Sequence, residues 1–393
     1  MGALALPTTE DCMGYAGKHR DVKPKRHVVR TIALSTAVVL LVLATGGYAV
    51  YRHLEGNITA FDMDGVLTNR PDEVDKPGKP LNILLLGSDT RVGQSQIGGD
   101  TGSGLSDTTI LLHLSADRKR AYGVSIPRDL MVTRPECPDE DGGTIPGGLA
   151  MWNAAYSYGG PVCTVAQFEA MTDIRVNHTV VVDFTGFKSM VDALGGVNIC
   201  VPREIDDEIG RIHLPAGTYE VSGSQALDYV RVRHEISNNG DIGRMKRQQT
   251  FLAAMANKAI SAGTLLNPVK LYKFLNAVTQ SVSTDSKLSK LSKLVSLANE
   301  FKGIGLSKIQ FLTMPITSYA PDPNRLAAGE GADELWRAIK LDKPLTKALR
   351  EGVTKASDPT PGDQTPTETP TGGTTSTRAQ EAAEEAERNG LCA

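Results

Sequence analysis

The stretch at residues 31–51, TIALSTAVVLLVLATGGYAVY, contains no charged side chain. As a helix rising ~1.5 Å per residue it spans the ~30 Å hydrocarbon core of a bilayer. The basic residues Lys18, Arg20, Lys23, Lys25, Arg26 and Arg30 precede it, whereas only Arg52 and His53 follow directly. That asymmetry puts the N terminus in the cytoplasm and the bulk of the chain outside. The run is long for the core of a cleaved secretory signal, and no small-x-small cleavage site follows it. The reading is an uncleaved signal anchor in the cell membrane. The chain then divides into a cytoplasmic basic arm at 1–30, the transmembrane anchor at 31–51, an exposed stalk at 52–79 and an extracellular domain at 80–350. Residues 351–393 are rich in Pro, Thr, Gly and Asp, and are expected to form a disordered tail.

The outside location bears on the cysteines, because disulfides form there. Cys137 and Cys163 both lie in loop-like sequence and are the first pairing to expect. The alternative is that they and Cys200 are buried free thiols. Cys12 would be cytoplasmic, and Cys392 falls in the tail.

Within 80–350, LNILLLG at residues 81–87 is a continuous apolar run, as expected of a strand buried on both faces. Residues 108–114 and 120–125 read as a hairpin about Ser115-Ala116-Asp117, stopped by Pro127. Residues 94–105 and 134–150 read as long loops, and residues 164–173 as a helix. A strand at 178–182 leads into a helix carrying Phe184, Phe187, Val191 and Leu194 on one face, stopped by Gly195-Gly196 before a strand at 197–201. Asp241 is placed to cap a helix running to about residue 260, with Ile242, Met245, Leu252 and Met255 inward. Residues 265–301 read as helical, 308–315 as a late strand and 333–340 as a short helix. The order suggests an α/β domain in which helices cover a mixed central sheet.

The net charge is -3 over 393 residues, which gives no global pull toward nucleic acid. Against that background residues 229–249, YVRVRHEISNNGDIGRMKRQQ, concentrate Arg231, Arg233, Arg244, Lys246 and Arg247 against Glu235 and Asp241. Guanidinium forks suit bidentate binding of carboxylate or phosphate. Asp89 and Asp107 stand at strand ends beside a Gly-rich loop. Two carboxylates without His or Cys nearby suit Mg²⁺, or Mn²⁺, shared with phosphate oxygens. The bland reading is that each Asp forms a turn. Arg91 and Arg128 either pair with these acids or join the cluster, and a cation with several arginines would hold a diphosphate during phosphoryl transfer.

Read in order, LNILLLGSDTR, SDTTILL, SIPRD, DFTGFKSMVDALGGVNICVP and ALDYVRVRH...DIGRMKRQQ resemble the LytR–CpsA–Psr family over residues 80 to 350 or so. The external cysteines and the Gly/Thr-rich tail look like those of its actinobacterial members. The resemblance implies an α-β-α layered domain with an apolar tunnel for a polyprenyl chain. It implies transfer of a glycopolymer, as its sugar phosphate, from a polyprenyl diphosphate carrier to peptidoglycan. Carried over by position, Asp89 and Asp107 would hold the metal, and Asp89, Asp107, Arg128, Arg231 and Arg233 would form the catalytic set. Arg91, Lys188, Arg244 and Gln248 would bind substrate. The chain departs from the family pattern in having ISNNG, with little acid, before Asp241. Two other readings stand beside this one. A hydrolase would use the same site with water as acceptor. A non-enzymatic envelope regulator that bound DNA would need the arginines in the cytoplasm, against the charge asymmetry.

Overall fold

The computed structural model describes residues 26–89, 104–138, 143–208, 210–232, 241–261, 267–351, 353–357, 383–384, 386 and 389–392. Helix α1 (Arg26–Gly56) carries the apolar stretch, and its Val29–Gly56 span is long and apolar enough to cross a membrane. It leads into a second, much larger unit that begins at Arg52.

That unit is built on an eight-stranded mixed sheet. In chain order the strands are β1 (Thr59–Phe61), β2 (Leu81–Ser88), β3 (Ser106–Leu114), β4 (Ala121–Ile126), β5 (His178–Asp183), β6 (Val282–Asp285), β7 (Ile309–Thr313) and β8 (Thr354–Lys355). Their spatial order is β1-β6-β5-β2-β3-β4-β7-β8. β2, β3 and β4 form an antiparallel meander, with β5 parallel to β2 and β7 parallel to β4.

Alternation along the strands divides the core in two. Leu84, Leu86 and Val181 belong to a cluster with Trp152, Phe168, Leu335 and Trp336, beneath helices α2 (Ala154–Thr172) and α8 (Ala332–Lys340). Ile83 and Val180 belong to the opposite cluster, with Ala253 of α5 (Asp241–Ser261) and Leu297 of α7 (Leu291–Ile304). The expected α-β-α layering is therefore present. Two helices complete the second layer near the site, α3 (Phe184–Ala193) and α4 (Gly223–Arg231). α6 (Pro268–Ser281) crosses α3 so closely at Gly186 that an added Cβ would lie 2.5 Å from Ser281 Cβ.

Several expectations need correction. Residues 52–79 are not a stalk. Thr59–Phe61 pairs in parallel with β6, and Leu54 and Met63 are buried. The Arg70 side chain is buried against Glu169, with Nε 3.0 Å from Oε2, and its guanidinium also reaches Asp64 and the Val176 carbonyl. The 134–150 loop contains strand pairs, Met131–Arg134 with Gly148–Met151 and Cys137–Pro138 with Thr144–Ile145. It is stapled to α2 by the Cys137–Cys163 disulfide. α2 starts ten residues earlier than its periodicity suggests, continuing across a kink at Gly159-Gly160. The strand Val197–Val201 forms, yet pairs with Gly217–Val221 in a separate ribbon. Residues 265–301 are interrupted by β6, which is buried between β1 and β5.

Helix α5 does begin at Asp241, but its burial differs from expectation. Ile242, Leu252 and Met255 are half-buried, while Arg244, Arg247, Phe251 and Ala253 are buried. The helix is wedged between two core clusters rather than resting on one. The tail is ordered at both ends. β8 joins the sheet beside β7, and Cys392 is disulfide-bonded to Cys200. Residues 1–25 and most of the 94–105 loop lie outside the described residues.

Candidate active site

The sheet register brings the polar candidates to one end. Ser88 pairs with Ser106 and with Asp183, and Thr109 pairs with Ile126. Asp89, Asp107, Arg128 and Asp183 therefore emerge side by side, at strand ends where side chains leave the ladder. Asp89 closes the base of the excursion that follows it. Its N–H donates to the Leu105 carbonyl at 3.1 Å, and its Oδ1 accepts from the Leu105 N–H at 2.5 Å.

Asp241 links the two halves of the site. Arg244 Nη2 lies 2.8 Å from Asp241 Oδ1 and 2.9 Å from Oδ2, a pairing set by i, i+3 spacing on the first turn of α5. Arg128 Nε lies 3.4 Å from Asp241 Oδ1, while Arg128 Nη1 donates to Asp107 Oδ1 at 3.0 Å. Burial works against the Arg128 charge, but Asp241, Asp107 and Asp129 outweigh it and hold its pKa above the usual value. Asp241 was legible only as a helix cap. The D-x-x-R spacing was the signal for its second role.

Arg231 ends α4 with its guanidinium 4.7 Å above the Phe184 ring. Gln248 is one turn beyond Arg244, and its Nε2 donates to the Val230 carbonyl at 3.3 Å. α4 is docked on α3 at Gly223, whose N–H donates to Asp192 Oδ1 at 2.7 Å. A Cβ there would fall 2.3 Å from the Lys188 carbonyl oxygen. Lys188 itself is half-buried on α3, where its charge acts on Asp228, and it is not part of the cavity wall. Arg91 and Arg233 lie outside the described residues, as does Glu235.

Behind this polar mouth runs a cavity of about 520 Å³. Leu85, Val180 and Val182 of the sheet form one wall, and Phe187, Met190, Leu252 and Met255 of the helices form the other. Asp107, Arg231, Arg244 and Gln248 line it at the polar end. The volume falls within the ~300–1,000 Å³ range of ligand pockets, and the division into apolar body and charged mouth suits an amphipathic anion. No stretch of sequence announces this cavity, because its lining comes from nine elements scattered between Leu85 and Val282.

Asp89 and Asp107 fit a divalent cation. Burial first, then the Asp107 charge, raise the Asp89 pKa, against the Leu105 N–H and Arg231. A cation between the two carboxylates would relieve both effects. Among the described residues no three His, Cys, Asp or Glu side chains gather as a metal cage. Mg²⁺ needs no such cage, since it commonly takes one or two carboxylates and completes its shell with phosphate oxygens and water. In the described site Asp89, Asp107 and Asp241 face Arg128, Arg231 and Arg244, and Asp183 lines the cavity beside them. Such a site accommodates a cation and a multiply charged anion together better than either alone.

Residues 50–337 match the model of the LytR_cpsA_psr family. The chain belongs to the LytR–CpsA–Psr family. It is 33% identical over 271 residues to the "Probable cell wall biosynthesis protein LcpB" of Corynebacterium glutamicum, covering 66% of this chain and 61% of that protein. It is 30% identical over 346 residues to the polyisoprenyl-teichoic acid--peptidoglycan teichoic acid transferase TagV of Bacillus subtilis, covering 86% of this chain and 82% of that protein. The crystal structure of that TagV superposes with a TM-score of 0.52 at 28% identity, over 69% of this chain and all (100%) of that one. A LytR-Csp2A-Psr enzyme from Actinomyces oris shares the fold, with a TM-score of 0.57 at 20% identity over 72% of this chain and 96% of that one. The family match begins at residue 50, in keeping with the packing of residues 52–79 into the domain.

Proposed function

We propose that this protein transfers a glycopolymer, as its sugar phosphate, from a polyprenyl diphosphate carrier to peptidoglycan. One observation carries the reading: an apolar cavity opens onto a mouth lined by Asp107, Arg231 and Arg244. A polyprenyl diphosphate has that division, a long apolar chain ending in two phosphates. The names of the relatives from C. glutamicum and B. subtilis support the wall polymer as the group transferred.

The acceptor hydroxyl oxygen bonds to the phosphorus bearing the sugar. The bond from that phosphorus to the bridging oxygen breaks, polyprenyl phosphate departs with the oxygen, and the hydroxyl proton is lost. Arg231, Arg244 and Arg128 face the oxygens that gain charge, where pre-placed donors act most strongly. Gln248 adds a neutral amide beside them, and Arg233 and Arg91 are proposed to complete the set. Asp89 and Asp107 would hold Mg²⁺, or Mn²⁺, which when bound neutralises the diphosphate oxygens. The apolar helix is proposed to be a signal anchor that keeps the domain at the outer face of the cell membrane, where such carriers reside.

Mass spectrometry of lipid copurifying with the full-length protein tests the ligand class, and a bound polyprenyl phosphate is expected. Incubation with Mg²⁺, a polyprenyl diphosphate sugar and a peptidoglycan fragment tests the reaction. The expected product is a sugar-phosphate adduct on the fragment. Release of free sugar phosphate with polyprenyl phosphate, and no adduct, would reassign the site to hydrolysis.

A further inference from the structure

The C-terminal tip returns to the back of the arginine cluster. Cys392 is bonded to Cys200, which lies 192 residues earlier on the strand Val197–Val201. The Cys200 carbonyl accepts a hydrogen bond from Tyr229 Oη at 3.4 Å, and Tyr229 is buried on α4 two residues before Arg231. Asn389 is buried too, and its carbonyl accepts from Arg247 Nη1 at 3.1 Å. The other terminal nitrogen of Arg247, Nη2, donates to the carbonyl of Val232, the residue after Arg231. The tip thus reaches the end of α4 by two routes.

Arg247 is 0% exposed, yet the two hydrogen bonds of its guanidinium go to neutral main-chain carbonyls. Burial pushes its pKa down to about 10. Desolvating a cation in this way is costly, and an apolar side chain of similar volume would fill the space more favourably. The planar fork does something an apolar side chain does not. It holds two carbonyls, one 15 and one 142 residues away in sequence, at a fixed separation. Val232 caps α4 with a non-helical ψ of 133°, so the contact fixes the chain where it leaves the helix.

We propose that Arg247 is a positioning residue for Arg231, and that the C-terminal tip, locked by the Cys200–Cys392 disulfide, is the abutment it works against. The inference rests on the proposed function in taking Arg231 as a ligand of the diphosphate. Arg231 is exposed at the cavity mouth on the final residue of a nine-residue helix. Its placement therefore depends on how that helix end is held.

The test uses the full-length chain in detergent and three variants: Arg247→Met, Arg247→Lys and the double variant Cys200→Ser/Cys392→Ser, which leaves Cys137–Cys163 intact. Farnesyl diphosphate-linked N-acetylglucosamine and a peptidoglycan fragment serve as probes, at a temperature where circular dichroism shows each variant folded. Arg247→Met and the double variant should lose roughly 10- to 100-fold in kcat, the range for a misplaced catalytic group. KM for the lipid should stay within about threefold, because the apolar cavity is untouched. Arg247→Lys should recover part of the loss by reaching one carbonyl. In ¹⁵N-arginine NMR the Arg231 Nε–Hε signal should shift in all three. Wild-type kcat in folded variants, or a loss that merely tracks the unfolded fraction, overturns the proposal. An unmoved Arg231 signal overturns it as well. If the wild type transfers nothing while that signal still moves, the proposed reaction fails and the bracing stands.

Discussion

Replacing Asp241 by Asn tests how the site holds its arginines. The side chains of Asp241, Arg128 and Arg244 are 17%, 18% and 2% exposed, so solvent screens these pairs only in part. Asn keeps an oxygen for Arg244 but removes the charge, and charge-assisted hydrogen bonds are about twice as strong as neutral ones. A hydrogen bond to a charged group contributes ~1.5–3 kcal/mol, so the Arg244 contact should lose ~1–1.5 kcal/mol. The longer Arg128 contact should lose ~0.5–1 kcal/mol, the range of a partly exposed pair. The sum, about 2 kcal/mol, corresponds to a fall in Tm of roughly 4 °C for a domain of this size. Freed from the carboxylate, Arg128 and Arg244 should welcome another anion. Pyrophosphate with Mg²⁺ should therefore raise the Tm of Asp241→Asn more than that of the wild type. Differential scanning fluorimetry with and without pyrophosphate makes both measurements. A fall under about 1 °C, or equal pyrophosphate shifts in the two proteins, would refute the linking role of Asp241.

Three further outcomes follow from the same geometry. Arg231→Lys should lower kcat/KM by roughly 10- to 100-fold and Lys246→Arg by less than about twofold, since a point charge does not replace a guanidinium fork; steady-state kinetics of transfer decides. Because the Asp89 pKa is raised on folding, its own contribution to the stability of the metal-free protein should fall as pH rises from about 4 through the folded-state pKa. Asp89→Asn should abolish that fall, melt above the wild type at pH 7 and flatten the Mg²⁺ titration of activity, as thermal melts across pH and metal concentration would show. Leu252→Trp, which pushes bulk into the apolar part of the cavity, should weaken binding of farnesyl diphosphate by ~10-fold and leave pyrophosphate binding unchanged by calorimetry.

Much of this architecture was legible where burial and chemistry coincide. LNILLLG reads as a strand because both its faces are covered, and the strand ends beside Asp89, Asp107 and Arg128 read as a site because charges rarely cluster there without a partner. Phe184, Phe187, Val191 and Leu194 likewise mark the inner face of α3. Other parts were hidden for physical reasons. β6 is four residues, Val-Ser-Thr-Asp, too short to show a period and flanked by genuine helices. Thr59–Phe61 is a three-residue edge strand whose strand partner among the described residues lies far along the chain. Arg70 looks like any surface arginine until Glu169 folds beside it. The Cys200–Cys392 bond joins two distant positions that spacing does not relate, and the cavity is a property of packing among elements rather than of any one of them.

The insertion of β6 between β1 and β5 has a consequence for the newly made chain. The Phe61 carbonyl is capped by Ser286, 225 residues later. At ~5–20 residues per second, synthesis needs on the order of ten to fifty seconds to bring those residues together. Through that interval the segment that follows α1 waits without its strand partner, its edge open to any other unpaired strand. The sheet therefore closes late in synthesis, and the edge formed by its first strand is among the last parts to be secured.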